Sequence, residues 1–258
     1  MKVYTNALIT GASSGIGEAF ARRLAAGGTN LALVARSEDK LHLLAGELSE
    51  KHRIRAEVIA ADLSAPGAAQ AVWEEAARRG LSVDLLINNA GFGTYGTFDS
   101  LPRARETEEI SLNVTALVEL THLFLPAMLA QHSGAVINVA STAAFQPVPY
   151  MAVYGATKAF VLSFSEALWA EYKPHGLRVL AFCPGPVDTA FAETAGTPLA
   201  GHGPAAESVV QIALQALSRG RSYVIPGGGN YRQSWGSRLL PRAAIAQISE
   251  RMMRPRAS

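Results

Sequence analysis

The sequence predicts an α/β protein: a doubly wound parallel sheet of about seven strands in a three-layer α/β/α arrangement. Two observations carry this expectation. Short apolar or β-branched runs recur along the 258 residues, each followed by a stretch of helical apolar spacing. The runs are near-continuously apolar, as in Val136-Ile137-Asn138-Val139, which fits strands buried on both faces. Alternation at this spacing implies right-handed βαβ crossovers.

The elements follow in order. Ala7 to Thr10 predicts the first strand, and Gly15 to Ala26 a helix. Asn30 to Ala35 predicts the second strand. Leu41, Leu44 and Leu48 then form an amphipathic stripe, with Ser37 placed to cap it. Ala56 to Ala60 is the third strand, and Pro66 suits the first turn of a helix running to about Arg79. Val83 to Asn88 is the fourth, followed by a long helix from about Arg103 to Leu129. Ala135 to Ala140, a helix over Val153 to Tyr172 and Leu177 to Phe182 continue the pattern. A helix over Ser208 to Leu217 and a strand over Tyr223 to Ile225 close it.

No composition shift or linker divides the chain, so the expectation is one domain over 1–258, with 228–258 as an amphipathic C-terminal extension. Apolar residues make up 49% and charged residues 17%, enough for a large core and too little charge for disorder. Lys plus Arg number 23 against 21 acids, which gives no electrostatic case for nucleic acid. One cysteine, Cys183, leaves no internal disulfide, and six scattered histidines leave no metal-ligand pattern. The first ten residues lack the apolar core of a signal peptide, and no apolar run approaches a membrane span. The expected location is cytoplasmic.

Doubly wound sheets bind ligands beyond the carboxyl ends of their strands. The first strand ends in Thr10-Gly11-Ala12-Ser13-Ser14-Gly15-Ile16-Gly17. Gly11 permits a tight turn, Gly15 lets the backbone approach a diphosphate, and Gly17 lets helix and strand pack closely. The helix N-terminus then offers N–H groups and partial positive charge to phosphate. A turn rich in small residues would look alike in isolation. Placed after the first strand and opening a helix, the pattern meets the context of a Rossmann dinucleotide site.

The chain resembles the classical short-chain dehydrogenase/reductase family. The glycine run is similar to that family's TGxxxGxG, and Asn88-Asn89-Ala90-Gly91 to its NNAG. Asp62-Leu63 resembles its adenine-contacting pair. Ser141, Tyr154-x-x-x-Lys158 and Pro184-Gly185 follow in family order. The likeness spans roughly residues 5 to 228. It implies a catalytic tetrad of Asn113, Ser141, Tyr154 and Lys158. It also implies a nicotinamide site that includes Ser13, Ser14, Ile16, Asn89, Ala90, Gly91, Tyr154, Lys158, Pro184, Gly185, Val187 and Thr189.

The residues support the same chemistry. Tyr154 and Lys158 are four apart, on one helix face. A tyrosine near pKa 10 is too weak a base at neutral pH, and a nearby ammonium lowers that value. Tyr154 then gives a proton to a carbonyl oxygen or takes one from an alcohol, while Ser141 bonds the same oxygen. By resemblance, Asn113 holds a water that links Lys158 to solvent. The alternatives are a cap for Ser141 and a satisfied polar residue at a helix bend for Asn113.

The end of the second strand bears on cofactor choice. NAD-specific relatives carry an acid there, whereas this chain has Ala35 and then Arg36. A guanidinium matches a 2′-phosphate, so NADP(H) is expected over NAD(H), tempered by Glu38 and Asp39. The other reading of Arg36 is a solvated loop charge. Phe92, Tyr95, Phe145, Gln146, Pro147 and the glycine-bearing segment 191–204 are candidate pocket walls, the last a candidate lid. They point to an apolar carbonyl or alcohol substrate. The tail, with Trp235, Leu239, Leu240 and the stripe Ile245, Ile248, Met252, is similar to that of a subgroup with ketoacyl- and steroid-type reductases. Packing on its own domain is expected. A homodimer or homotetramer is expected too, with the two long helices as an interface. The competing function is a non-catalytic NADP(H)-binding redox sensor, which has no need of Tyr154 and Lys158 together.

Overall fold

The computed structural model describes residues 4–197, 203–237 and 239–255. Seven parallel strands form one sheet in the order β3-β2-β1-β4-β5-β6-β7. They are β1 (Asn6–Thr10), β2 (Asn30–Ala35), β3 (Ala56–Ala60), β4 (Leu85–Asn88), β5 (Gly134–Val139), β6 (Leu177–Phe182) and β7 (Tyr223–Val224). The main helices are α1 (Gly15–Ala25), α2 (Glu38–His52), α3 (Ala68–Arg78), α4 (Arg103–Ile110), α5 (Ala116–Ala130) and α6 (Ala152–Tyr172). They continue with α7 (Phe191–Ala195), α8 (Ala206–Ser218), α9 (Gly228–Gly236) and α10 (Arg242–Met253).

The strand pleat explains the two-sided core. Ala7 and Ile9 of β1 face the cluster built with α1, α2 and α8. Leu8, between them, faces the opposite cluster with α3, α5 and α6. Alternate residues thus bury on opposite faces, as a strand of period two requires. The chain reverses direction of sheet growth between β1 and β4, which are neighbours. This switch point opens a crevice past Thr10 and Asn88, where such sheets take ligands.

Three expectations are corrected. Pro66 is not in the first turn of a helix: α3 starts at Ala68, behind Gly67 at φ +78°. A left-handed residue there suits glycine and places the proline ahead of the helix. The long helix is not continuous α-helix either. A π turn over Ser111–Thr115 separates α4 from α5. Against the expectation that no apolar run approaches a span, the stretch Arg103–Ala130 is long and apolar enough to cross a membrane by length and composition. In the fold, Leu117, Leu120, Phe124, Leu125 and Met128 of α5 are buried within the core clusters.

The tail packs on the rest of the chain. Asn230 of α9 sits against Gly185, where an added Cβ would lie 2.5 Å from its Nδ2. The Tyr95 hydroxyl donates to the carbonyl of Met253 at 2.6 Å, and that of Tyr150 to Glu250 Oε1 at 2.6 Å. Of the expected stripe only Ile245 is buried; Ile248 and Met252 are exposed. The hydrogen bonds, rather than that stripe, mark the face that docks. The candidate lid 191–204 is described at its two ends, α7 and 203–204, and its centre 198–202 lies outside the described residues.

Candidate active site

The glycine loop is shaped by contacts that leave no room for side chains. Gly11 and Gly15 take φ of +65° and +57°, open to glycine at no cost. A Cβ on Gly17 would collide with the carbonyl of Gly11. Asn89 Nδ2 donates to the carbonyls of Thr10 and Gly11 at 2.9 and 3.2 Å. The amides of Asn89 and Ala90 each donate to the Thr10 hydroxyl at 2.9 Å. The loops after β1 and β4 are therefore one unit. Ser14 holds the N-cap position of α1 in extended geometry without a side-chain cap bond. A glycine cradle before such a helix end fits the diphosphate of a dinucleotide. Thr189 closes the other side, within 3.1 Å of where a Cβ on Gly15 would lie.

The four expected tetrad residues meet past the ends of β4 and β5. Asn113 lies in the π turn and is buried. Its Oδ1 accepts from Phe92 N at 3.1 Å, and its Nδ2 donates to Phe92 O at 2.9 Å and Thr157 Oγ1 at 3.2 Å. The Thr157 hydroxyl donates to Tyr154 O at 2.8 Å. The amide that is poor in a helix interior is thus satisfied where the helix widens. A Cβ on Gly91 would fall 2.7 Å from Asn113 Oδ1 and 3.5 Å from Lys158 Nζ, so only glycine lets these groups approach. Ser141 Oγ accepts from Ala143 N at 3.1 Å, the cap expected as its alternative role, and its hydroxyl also acts to lower the pKa of the Tyr154 phenol.

Burial dominates the electrostatics of Tyr154. It pushes the phenol up to about 12, the Ser141 hydroxyl pulls it down, and the charge of Glu109 raises it. The Lys158 ammonium lies 5.7 Å from the ring centroid and donates to Val139 O at 2.8 Å. Burial pulls Lys158 down to about 8, while the charge of Glu109 raises it. A phenol so placed stays protonated at neutral pH and is suited to donate.

The remaining expected positions divide. Leu63 is buried in the cluster with α3, α5 and α6, whereas Ile16 and Val187 pack against the cluster on the opposite face of the sheet. Asp62 Oδ1 accepts from the amide and hydroxyl of Ser64 at 3.0 and 2.7 Å, so its carboxylate holds its own turn. Pro184 O accepts from Thr142 N at 2.9 Å, tying the Pro184-Gly185 turn to the Ser141 strand end. Arg36 is 61% exposed and lies 3.7 Å from Glu108 Oε1. It is a partnered surface cation. Ser13 is half-buried.

Three residues of the site were missed from sequence. Thr94, Glu106 and Glu109 are buried together beside Asn113. The Thr94 hydroxyl contacts Glu106 Oε1 closely and Glu109 Oε2 at 3.0 Å. The available signal was spacing: Glu109 stands four residues before Asn113, on the same helix face.

A family model described as short chain dehydrogenase matches residues 5–199. The chain belongs to the short-chain dehydrogenase/reductase family and is a nicotinamide-dependent oxidoreductase acting on alcohol or carbonyl groups. It is 37% identical over 207 residues to the 7beta-hydroxysteroid dehydrogenase of Collinsella aerofaciens, covering 80% of this chain and 76% of that one. It is 36% identical over 193 residues to the very-long-chain 3-oxoacyl-CoA reductase of Anas platyrhynchos, covering 72% of this chain and 61% of that protein. Among solved structures, a short-chain dehydrogenase from Sphingobium yanoikuyae in complex with NADPH superposes with a TM-score of 0.84 at 32% identity, covering 98% of both chains.

Proposed function

We propose that this chain is an NADPH-preferring carbonyl reductase for apolar ketones, with Tyr154 as proton donor. The single observation that carries the reading is the buried cluster past the ends of β4 and β5, where the Tyr154 ring lies 5.7 Å from the Lys158 ammonium and Asn113 is tied to Thr157 of the same helix. When bound, the nicotinamide supplies the hydride. Tyr154 donates its proton to the carbonyl oxygen, and the Ser141 hydroxyl bonds that oxygen as charge develops on it. Lys158 holds positive charge beside the phenol and a donor for a ribose hydroxyl. Asn113 keeps the π turn open and fixes the Phe92 loop. Met151, Tyr95, Phe191 and Met253 pack around Tyr154, an apolar wall suited to a bulky ketone. The steroid and acyl substrates named for the relatives agree with that lining. NADPH preference rests on Arg36 and on the NADPH-bound relative.

The test is Tyr154→Phe, assayed on a panel of bulky ketones by loss of NADPH absorbance and by NADPH titration. Turnover should fall by about 10² to 10⁴, with cofactor affinity within a few-fold of wild type, because the ring still packs. Turnover within a few-fold of wild type removes Tyr154 from the reaction.

A further inference from the structure

Buried carboxyls are rare, and a pair of them needs protons or cations. Glu109 is fully buried and Glu106 nearly so. Both approach one hydroxyl, that of Thr94. A hydroxyl has one proton and donates to one carboxylate only. The other carboxyl makes a hydrogen bond to Thr94 only by donating one itself, so this cluster has room for a carboxylic acid. Glu106 Oε2 and Glu109 Oε1 are buried without partners, and unpartnered buried charge is costly.

The groups facing Glu109 come from three elements. Glu106 stands on its own helix, Thr94 on the loop after β4, and Lys158 and Tyr154 on α6. Lys158 and Tyr154 both feel the Glu109 charge. Arg105 stacks over Phe92, 3.8 Å from its ring. Its guanidinium is taken by Glu108 at 2.7 Å, and Lys158 is a cation whose charge acts on Glu109. Cys183, on the strand side of Lys158, has its thiol pushed up by burial and stays neutral.

We propose that Glu109 is a positioning residue of the reaction: its ionisation holds the Lys158 ammonium and the Tyr154 proton in place as pH rises. The inference rests on the proposed roles of Tyr154 and Lys158. Burial pushes Glu109 up to about 7, the Thr94 hydrogen bond lowers it, the Glu106 charge raises it and Lys158 lowers it. Above that pH the carboxylate is charged. It then favours the ammonium of Lys158, which burial alone would discharge, and disfavours the phenolate of Tyr154. Both effects keep the site in the state that protonates a carbonyl oxygen.

Glu109→Gln removes the charge and keeps the shape. The alkaline limb of the pH profile of kcat/KM for ketone reduction should move down by about half a unit or more. Thr94→Val, which takes away the bond favouring ionised Glu109, should move it in the same direction by less, and serves if the first variant folds poorly. Infrared titration of the cofactor-free protein gives a readout that needs no substrate. A protonated carboxyl band should disappear on titration through neutral pH in wild type, and that transition should be missing in Glu109→Gln. An alkaline limb unmoved in both variants, or an infrared transition that survives in Glu109→Gln, overturns the proposal. Absence of ketone reduction in wild type with the infrared transition present would instead count against the proposed reductase alone.

Discussion

At the scale of single residues, Arg36 shows why a charge read from sequence needs its neighbours. It follows β2 where a 2′-phosphate would be met, yet it already lies 3.7 Å from Glu108 and acts on Asp62. A phosphate must compete with both carboxylates, so the gain is smaller than a free guanidinium would give. Arg36→Ala should weaken NADPH binding by about 1.5 kcal/mol, the low end for a charged hydrogen bond, and leave NADH nearly unchanged. Glu108→Gln should act oppositely, strengthening NADPH. Titration of both cofactors against both variants checks this; equal losses for NADPH and NADH in Arg36→Ala would remove Arg36 from cofactor choice.

At the scale of elements, β2, β3 and β6 coincide with the sequence reading because each run starts directly after a polar residue or glycine, Thr29, Arg55 and Gly176. The glycine loop was legible because its spacing carries the backbone geometry. The π turn was not, since an inserted residue leaves no periodic mark, though Asn113 between Leu112 and Val114 hinted at a bend. The Thr94–Glu106–Glu109 cluster was missed, despite the spacing of Glu109 and Asn113, because charged residues on a helix normally face water. The docking of α10 on its own domain was expected, but not its means, since two tyrosine hydroxyls hold it where an apolar stripe was read. Tyr150 pays for that contact with φ +63°, a strained setting for a non-glycine residue. Few side chains of α10 are buried, Ile245 and Ser249 among them. A chain ending at Pro241 should therefore remain folded. It should raise KM for a bulky ketone by roughly tenfold, through lost positioning of the kind that tight packing supplies. NADPH affinity should hold, because α10 touches the Tyr154 side and not the glycine loop. Steady-state kinetics with cofactor titration checks it; an unchanged KM would show that α10 is no part of the pocket.

At the scale of the whole molecule, the site trades stability for chemistry. Its polar groups meet past the ends of β4 and β5. Above them Asn88 donates to Thr121 and Asn138, and Asn138 to Ser165, at 2.9 to 3.0 Å. This ladder joins α5, β4, β5 and α6 with good bonds and restrains the core that carries Tyr154. The Glu109 cluster beside it is poorly satisfied and should show in the pH dependence of folding. Its folded pKa of about 7 exceeds the ordinary 4.5, so the fold favours the protonated form. That stabilisation is fully present below the ordinary value and is lost as pH rises through about 7. Lys158 runs the other way: its folded value of about 8 lies below 10.5, so the buried ammonium costs stability until pH passes above 8 toward the ordinary value. Near neutral pH the fold therefore holds both charges, each at a cost, and their mutual attraction returns part of it. Glu109→Gln removes one charge and leaves Lys158 less compensated. The net expectation is a gain on the order of 2 kcal/mol at about pH 8, shrinking toward zero below about pH 4.5. For a chain of this size that is roughly 5 °C in Tm. Urea unfolding of wild type and variant at the two pH values measures it. A variant that is less stable at the higher pH, or that gains equally at both, would show that the fold does not raise the Glu109 pKa. The same substitution is expected to shift the alkaline limb of turnover down, so the more stable protein should be the poorer enzyme at high pH.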